Sequence, residues 1–320
     1  MRTAYRPGYG APDVLEVREA PVPVPRPGDI LVRVHASSVN RTDVGVLRGT
    51  PYVFRLFAGF PSPRYSATGT DFAGEVVKVS DGVTAFAPGD RVYGFNDRGL
   101  GTHRELATIG SRETVLTIPS NLSFAEAVGC TEGAHYAVNF VIKIDLRPCQ
   151  QVLVIGGTGA IGSAAVQLLR ARGVVVDATA PAAHAELVRS LGARTVYDVP
   201  GREHLESGLR YDAVFDAVGK SRFEDCRPVM APHAVYLSSE LGPSGENLWL
   251  PIRTMVGRGP KVRFPFPSNT KASLSLVRGL AENGHFRAVI DRTYSLEEVR
   301  DAFRYVESGR KVGTVVLDVT

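Results

Sequence analysis

Apolar and polar positions alternate over short stretches through the first third of the chain. Ile30, Val32, Val34 and Ala36 interleave with Leu31, Arg33 and His35, and Pro27-Gly28-Asp29 leads in. A period of two behind such a turn predicts a half-buried strand. Glu75–Val79 and Arg91–Phe95 repeat the pattern, the second behind Pro88-Gly89-Asp90. Turn signals spaced this regularly, from Val14 to about Ile118, predict a small, mostly β domain. Pro21–Pro27 predicts a stiff extended connector. At Ser123 the period turns helical: Ser123 and Glu126 have capping-box spacing, and the apolar stripe runs on through Phe140 and Ile144.

Beyond residue 150 strand and helix patterns alternate. Val152–Ile155, Val174–Ala178, Thr195–Tyr197, Tyr211–Val218 and Ala234–Leu237 read as strands, and Ala183–Leu191 reads as a helix ended by Gly192. This alternation predicts a parallel, doubly wound sheet with its ligand at the carboxyl ends of the strands. In the tail, Ala272–Leu280 predicts a helix ending at Gly284. Ser295 and Glu298 form a second capping box, Val299, Ala302, Phe303 and Val306 stripe a last helix, and Thr314–Val319 closes as a strand.

One turn in this pattern carries chemistry. Val152–Ile155 runs directly into Gly157-Thr158-Gly159-Ala160-Ile161-Gly162, and Ile161, Ala165, Leu168 and Leu169 then stripe a helix that Gly173 can close. Gly157 permits a tight turn, Gly159 lets backbone N–H groups from Thr158 to Ile161 approach a pyrophosphate, and Gly162 lets the helix pack closely on the strand. Strand, glycine turn and capped helix in this order point to dinucleotide binding; a glycine turn without that context is a plain strand-to-helix connection.

Composition narrows the classes. A chain of 320 residues with 44% hydrophobic and 22% charged residues is long and apolar enough for two globular domains. The net charge of +4 comes without a run of like charges, so nucleic acid is not expected as a partner. Three scattered cysteines, Cys130, Cys149 and Cys226, make neither a disulfide framework nor a four-thiolate zinc site. The N-terminal residues lack an apolar signal core and no stretch suffices for a membrane span, so a cytoplasmic, soluble protein is expected. The aromatic stretch Pro51–Phe60 reads either as a lid or wall for an apolar substrate or as ordinary packing beneath a loop.

These segments together resemble the medium-chain dehydrogenase/reductase superfamily, in its zinc-free, quinone-oxidoreductase-like branch. The resemblance rests on Ser37–Asp43 (SSVNRTD), Gly69–Val76 (GTDFAGEV), Pro88–Gly94 (PGDRVYG), the glycine turn, Ala185–Ala193 (AELVRSLGA), Phe215–Gly219 (FDAVG) and Arg304–Arg310 (RYVESGR). It implies an α/β fold: a GroES-like, mostly β domain from residues 1–122 and 261–320, a Rossmann domain from residues 123–260, and a homodimer. Zinc-dependent relatives place a cysteine where this chain has Asn40 and a histidine then glutamate at Thr70-Asp71; Asn and Thr are not usual zinc ligands, so no metal is expected. Hydride transfer to a quinone or a conjugated carbonyl then remains. At the end of the second Rossmann strand, after Thr179, the family's ribose-binding acid is replaced by Ala180, which favours NADPH over NADH. His184, Arg202 or Arg189 then stands near the 2′-phosphate or is a solvated surface residue, and Val218 and Gly219 line the cofactor. Asp177 falls too early along the strand to replace the acid, unless the register shifts. For catalysis, Asn40 donates to a substrate carbonyl or ties its loop together. Tyr136, His135, oriented by Glu132, or Tyr52 protonates the product, or these side chains simply pack. Asp43 is expected to be a structural acceptor, and Cys130 to pack.

Two rival functions share this sequence. One is a tailoring reductase with a single dedicated unsaturated substrate, selected by Tyr52–Phe60. The other is an NADPH-binding protein without catalysis, since no indispensable nucleophile marks the chain.

Overall fold

The computed structural model describes the chain apart from Pro51, Ser111, Pro200, Pro243 and Ser244 and the side chains of Val53, Phe54 and Phe57. Its strands are β1 (Arg2–Tyr5), β2 (Glu16–Glu19), β3 (Ile30–Val39), β4 (Asp71–Val79), β5 (Arg91–Phe95), β6 (Leu106–Ile109), β7 (Thr114–Thr117), β8 (Gln151–Ile155), β9 (Val175–Ala180), β10 (Thr195–Asp198), β11 (Tyr211–Asp216), β12 (Met230–Ser238), β13 (Lys261–Arg263), β14 (Ile290–Ser295) and β15 (Thr314–Asp318). The chain divides into two compact units, Met1–Glu132 with Thr270–Glu282 and Arg287–Thr320, and Gly133–Asn269 with Asn283–Phe286.

In the first unit β14, β15, β3, β4, β5 and β7 form one sheet in that order, with β6 also paired to β3. Both chain ends therefore contribute, because β15 lies antiparallel beside β3. The expected half-burial of β3 gives way to burial on both faces, with Arg33 exposed. It lies inside the sheet, and the helices Phe124–Gly129 and Val299–Glu307 pack against it. Val299, Ala302, Phe303 and Val306 are all buried in the core with Val32, Val34, Phe72 and Val315, as their helical spacing requires. Helix Phe124–Gly129 also packs on β4 and β15, so the chain leaves this unit at Glu132 and not at residue 122. The expected continuous helix is interrupted there: Thr131 turns its hydroxyl to Asp71 and Val128 O, and Glu132–Ile142 starts anew.

In the second unit the sheet order is β10-β9-β8-β11-β12-β13, with every pair parallel. Counting from β8, this is the order 3-2-1-4-5-6 of a Rossmann sheet, whose direction of winding reverses between its first and fourth strands. Leu153, Val214, Tyr236 and Val262 anchor one face. Lys261–Arg263 belongs to this sheet as its edge, which is why the return to the first unit falls after residue 269 and not at 261. No helix among the described residues is long and apolar enough to cross a membrane.

Candidate active site

The reversal of winding lies between β8 and β11, and both segments that leave it are ones the sequence marks. After Ile155 comes the glycine turn; after Asp216 come Ala217, Val218 and Gly219. The tight turn is made by Gly156, at φ 83°, and not by Gly157 as expected. Gly157 instead packs closely: a Cβ there would lie 3.1 Å from Ala178 Cβ and 3.0 Å from Val188 Cγ1. Gly162 is confined too, since a Cβ would overlap Gly156 O. Gly159 differs from all three. Its backbone is extended (φ −68°, ψ 165°), and a Cβ would meet nothing nearer than Gly156 O at 3.7 Å. Neither backbone nor packing demands glycine at that position, and its missing side chain leaves open space beside the start of the helix.

That space fits a pyrophosphate. Gly159 is the N-cap of helix Ala160–Ala171 and offers no side-chain cap, which leaves the first N–H groups of the helix, Ala160 and Ile161 among them, for an anion. Thr158 and Ile161 are half-buried beside it. Thr179 braces the turn from β9: its hydroxyl accepts from Gly156 N at 3.0 Å and its carbonyl from Gly157 N at 2.8 Å. Its side chain is therefore a support for the cradle. Across the reversal, Asp216 holds its own turn by accepting from Val218 N, Gly219 N and Ser221 N at 3.2, 2.8 and 3.0 Å. Gly219, at φ 66°, takes the left-handed backbone that a residue with a Cβ would strain.

At the end of β9, Ala180 is buried. Asp177 does not replace the missing acid. It is fully buried, bound by Arg194 through Nε at 3.0 Å and Nη2 at 2.5 Å, and it accepts from Thr195 N and Tyr211 Oη, each at 3.1 Å. This ion pair explains the polar interruption of an apolar strand. A carboxylate the sequence reading missed stands beside the strand end: Asp198, paired with Ala180 across β10 and β9, accepts from Ala182 N at 2.7 Å. Of the three basic candidates, Arg202 and Arg189 are exposed and His184 is half-buried, and Arg189 pairs with Glu186 at 3.6 Å.

The first unit gathers polar side chains around Asp71. Asn40 caps helix Arg41–Arg48, its Oδ1 accepting from Asp43 N at 2.9 Å while Asp43 accepts from Asn40 N at 3.2 Å. The Asn40 amide donates to Thr70 Oγ1 at 2.8 Å and Ser38 Oγ at 3.3 Å. Both amide protons are thus engaged, and of the two roles expected for Asn40 the geometry supports the tie over the free donor. Asp71 is fully buried and accepts from Ser38 N and Oγ, each at 2.6 Å, from Thr131 Oγ1 at 2.7 Å and from Ser37 Oγ at 3.1 Å. Burial raises the pKa of both Asp71 and Asp43, Asp43 well above the ordinary range. Beneath them His103, also fully buried, donates from Nε2 to Ser38 O at 2.9 Å, because a carbonyl only accepts; Nδ1 then accepts from Thr68 Oγ1 at 2.8 Å. Among the described residues no group of three or more His, Cys, Asp or Glu side chains is placed to hold a metal ion.

The expected orientation of His135 by Glu132 is not found. Glu132 accepts from Thr42 Oγ1 at 2.9 Å, both residues belonging to the first unit, whereas Asn139 approaches the His135 ring and donates to its carbonyl at 2.8 Å. His135 is buried, and desolvation lowers its pKa to about 4, so it is a neutral imidazole with little capacity to protonate a product. Tyr136 is half-buried with its ring edge-on to His135 at 5.7 Å. Burial pushes the Cys130 thiol up to about 12, an unreactive packing residue as expected. Tyr52 is 73% exposed, under the Arg55 guanidinium, ahead of the short helix Val53–Ala58; Pro51 lies outside the described residues.

Comparison with known proteins agrees with this architecture. Residues 26–135 match the family described as alcohol dehydrogenase GroES-like domain, and residues 191–317 the family described as zinc-binding dehydrogenase. The 2-methylene-furan-3-one reductase of Solanum lycopersicum is 30% identical over 97% of this chain and 76% of its own length. The chloroplastic quinone-oxidoreductase QR1 of Triphysaria versicolor is 28% identical over 99% of this chain and 98% of its own. The solved quinone oxidoreductase from Coxiella burnetii superposes with a TM-score of 0.85, covering 100% of this chain and 99% of that one at 23% identity, a likeness of fold. The chain belongs to the medium-chain dehydrogenase/reductase superfamily, in its quinone-oxidoreductase-like branch.

Proposed function

We propose that this chain is a zinc-independent, NADPH-dependent reductase that transfers hydride to a quinone or to the activated C=C of an enone. The observation that carries this reading is the hydrogen bond from Asn40 to Thr70, at the two positions where zinc-dependent relatives place ligands. Two side chains satisfied by each other and by Ser38 and Asp43 offer no thiolate or imidazole to a cation, so alkoxide stabilisation by a metal has no support here. A reduced nicotinamide supplies the hydride when bound. The chain's part is to hold the pyrophosphate at Gly159–Ile161, to keep Val218-Gly219 in place through Asp216, and to orient the acceptor. Tyr136 and Tyr52 are the candidates for contact with substrate, and Asn40 fixes its own loop.

Ala180 supports NADPH, with His184 and Arg202 as candidate partners of the 2′-phosphate. Asp198 favours a second reading, NADH, since its carboxylate stands beside Ala180 and spends one oxygen on Ala182 N. Steady-state rates with both nucleotides against 1,4-quinones and enones, with zinc measured by elemental analysis, test the whole. Stoichiometric zinc or a preference for simple alcohols overturns the reaction class; Asp198→Asn separates the nucleotides, weakening NADH alone if that carboxylate binds ribose. We take the protein to work as a cytoplasmic homodimer. Exposed Leu248, Trp249, Ile252 and Met255 on helix Glu246–Met255, packed beside the edge strand β13, support a second copy, and light scattering tests it.

A further inference from the structure

An apolar face of the first unit meets solvent between helix Arg41–Arg48 and β4, where Tyr52, Leu56, Phe60 and Tyr65 are all exposed. Leu56 and Phe60 are 77% and 78% exposed, so these side chains are not packing beneath a loop, one of the two roles expected for the stretch. A soluble chain leaves so many large apolar side chains uncovered in one segment where something docks on them. We propose that this segment is a docking surface for the anionic interface of a lipid bilayer, its aromatic and leucine side chains entering the headgroup layer and its arginines meeting lipid phosphates. The surface is separate from the reaction proposed above and needs no turnover to act.

Charge decides what the partner is. Residues 44–70 include three arginines, Arg48, Arg55 and Arg64, and no Asp, Glu or Lys. Arg48 is taken up by Glu307, whereas Arg64 is exposed and Arg55 lies against the Tyr9 and Tyr52 rings, 4.8 and 4.9 Å from their centroids. A twofold contact with another copy would set this positive segment on itself, with no acid of the segment to answer it. Tyr, Phe and Leu beside Arg instead suit a headgroup layer, where the rings take the apolar boundary and each cation gains from the negative surface.

The segment is tied down at its base. Arg6, a buried arginine, donates from Nη1 to Val46 O at 2.7 Å and from Nε to Tyr65 O at 3.2 Å, so one guanidinium joins helix Arg41–Arg48 to the far end of the segment. Tyr9 Oη donates to Gly59 O, Arg55 Nε to Gly49 O at 3.1 Å, and Arg64 N to Ala58 O at 2.6 Å. These bonds satisfy polar groups of the base within the chain, while the tips Leu56 and Phe60 stay exposed. Docking then costs little ordering, which is where a loose apolar segment loses affinity.

Co-sedimentation of the full chain with lipid vesicles, without nucleotide or substrate, tests this surface. The wild type is expected to bind vesicles of phosphatidylcholine and phosphatidylglycerol in equal parts at least about tenfold more tightly than phosphatidylcholine alone, and to lose that preference in high salt. Leu56→Asp and Phe60→Asp are each expected to weaken binding to the mixed vesicles about tenfold. Arg64→Glu is expected to weaken it by about as much and to leave binding to phosphatidylcholine unchanged. Val24→Asp, an equally exposed apolar position in the extended segment Pro21–Pro27, is expected to bind as the wild type does. Melting temperatures are expected to hold throughout, since every replaced side chain is exposed. A wild type that ignores both vesicles, binds them equally, or loses as much in Val24→Asp as in Phe60→Asp overturns the proposal. So does light scattering in which Phe60→Asp alone halves the mass, which assigns the surface to a second copy. A KM for a soluble quinone that rises in Phe60→Asp, in a chain without vesicle binding, overturns it as well and makes the segment a substrate wall.

Discussion

The Asn40 amide donates to the Thr70 hydroxyl at 2.8 Å while its carbonyl oxygen caps the helix that Arg41 begins. Capping and cross-bonding are separable by substitution. Asn40→Ser keeps a cap and loses the bond to Thr70, and is expected to cost less than about 1 kcal/mol. Asn40→Ala loses both and is expected to cost about 2 kcal/mol by urea denaturation. Turnover distinguishes the tie from an oxyanion donor: a donor's removal lowers kcat by about 100-fold or more, whereas a loop tie leaves Asn40→Ser within about threefold.

Gly159 and Gly162 answer to different demands, and alanine at each exposes them. Gly159→Ala meets nothing in the chain nearer than 3.7 Å and is expected to shift stability by less than about 0.5 kcal/mol. Nucleotide affinity is expected to fall about tenfold, because the methyl occupies the space beside the helix N-terminus. Gly162→Ala pushes a Cβ onto Gly156 O and is expected to lose about 1–3 kcal/mol of stability. Paired melting curves and nucleotide titrations check both; a stability loss in Gly159→Ala as large as in Gly162→Ala sinks the assignment.

Asp177 is a structural acid, and its removal has a structural signature. Asp177→Ala removes the acceptor of Thr195 N and leaves Tyr211 Oη only the Tyr197 hydroxyl at 3.4 Å, and is expected to cost about 1–3 kcal/mol, as an unsatisfied buried donor does. Arg194 is half in solvent, so Arg194→Ala is expected to cost less. The ratio of NADPH to NADH affinity is expected to be unchanged in Asp177→Asn, measured at a temperature where the variant stays folded. A changed ratio would return Asp177 to the ribose site.

Much of this was readable along the chain wherever the cause was local. The capping boxes at Ser123 and Ser295 form with their Glu partners three residues on, and the stripe from Val299 to Val306 is buried throughout. The same spacing rule applied to Asn40 and Asp43 would have identified a cap, and hence an amide already engaged. Where the partner was remote, one residue stayed unexplained and one reading failed. Asp177 looks anomalous in an apolar strand until Arg194, on the approach to the neighbouring strand, is brought beside it. Glu132 shares a helical face with His135, but as the first residue of its helix it faces Thr42, 90 positions earlier. Periodicity reports which face is buried and is silent on what lies opposite.

Two kinds of buried group set the pH dependence of stability, and they act in opposite directions. His103 is held neutral by desolvation, its pKa lowered to about 4 against an unfolded value of about 6.5. Between those values the unfolded chain binds the proton and the folded chain does not, so this contribution is present above about pH 6.5 and is lost as pH falls toward 4. Glu132 is the reverse: its folded pKa of about 7 exceeds the unfolded value near 4.5, so the folded chain binds the proton more tightly and stability is lost as pH rises through 7. Each range spans roughly 2.5 pH units, on the order of 3 kcal/mol at most. Glu132→Gln is therefore expected to gain on the wild type from about pH 4.5 to about pH 7 and to level off above that, in chemical denaturation of the ligand-free chain. His103→Gln, destabilised at neutral pH by the lost bonds to Ser38 and Thr68, is expected to close its gap with the wild type as pH falls from about 6.5 to about 4. Parallel profiles for the two variants would mean that neither group is buried in the charge state assigned to it.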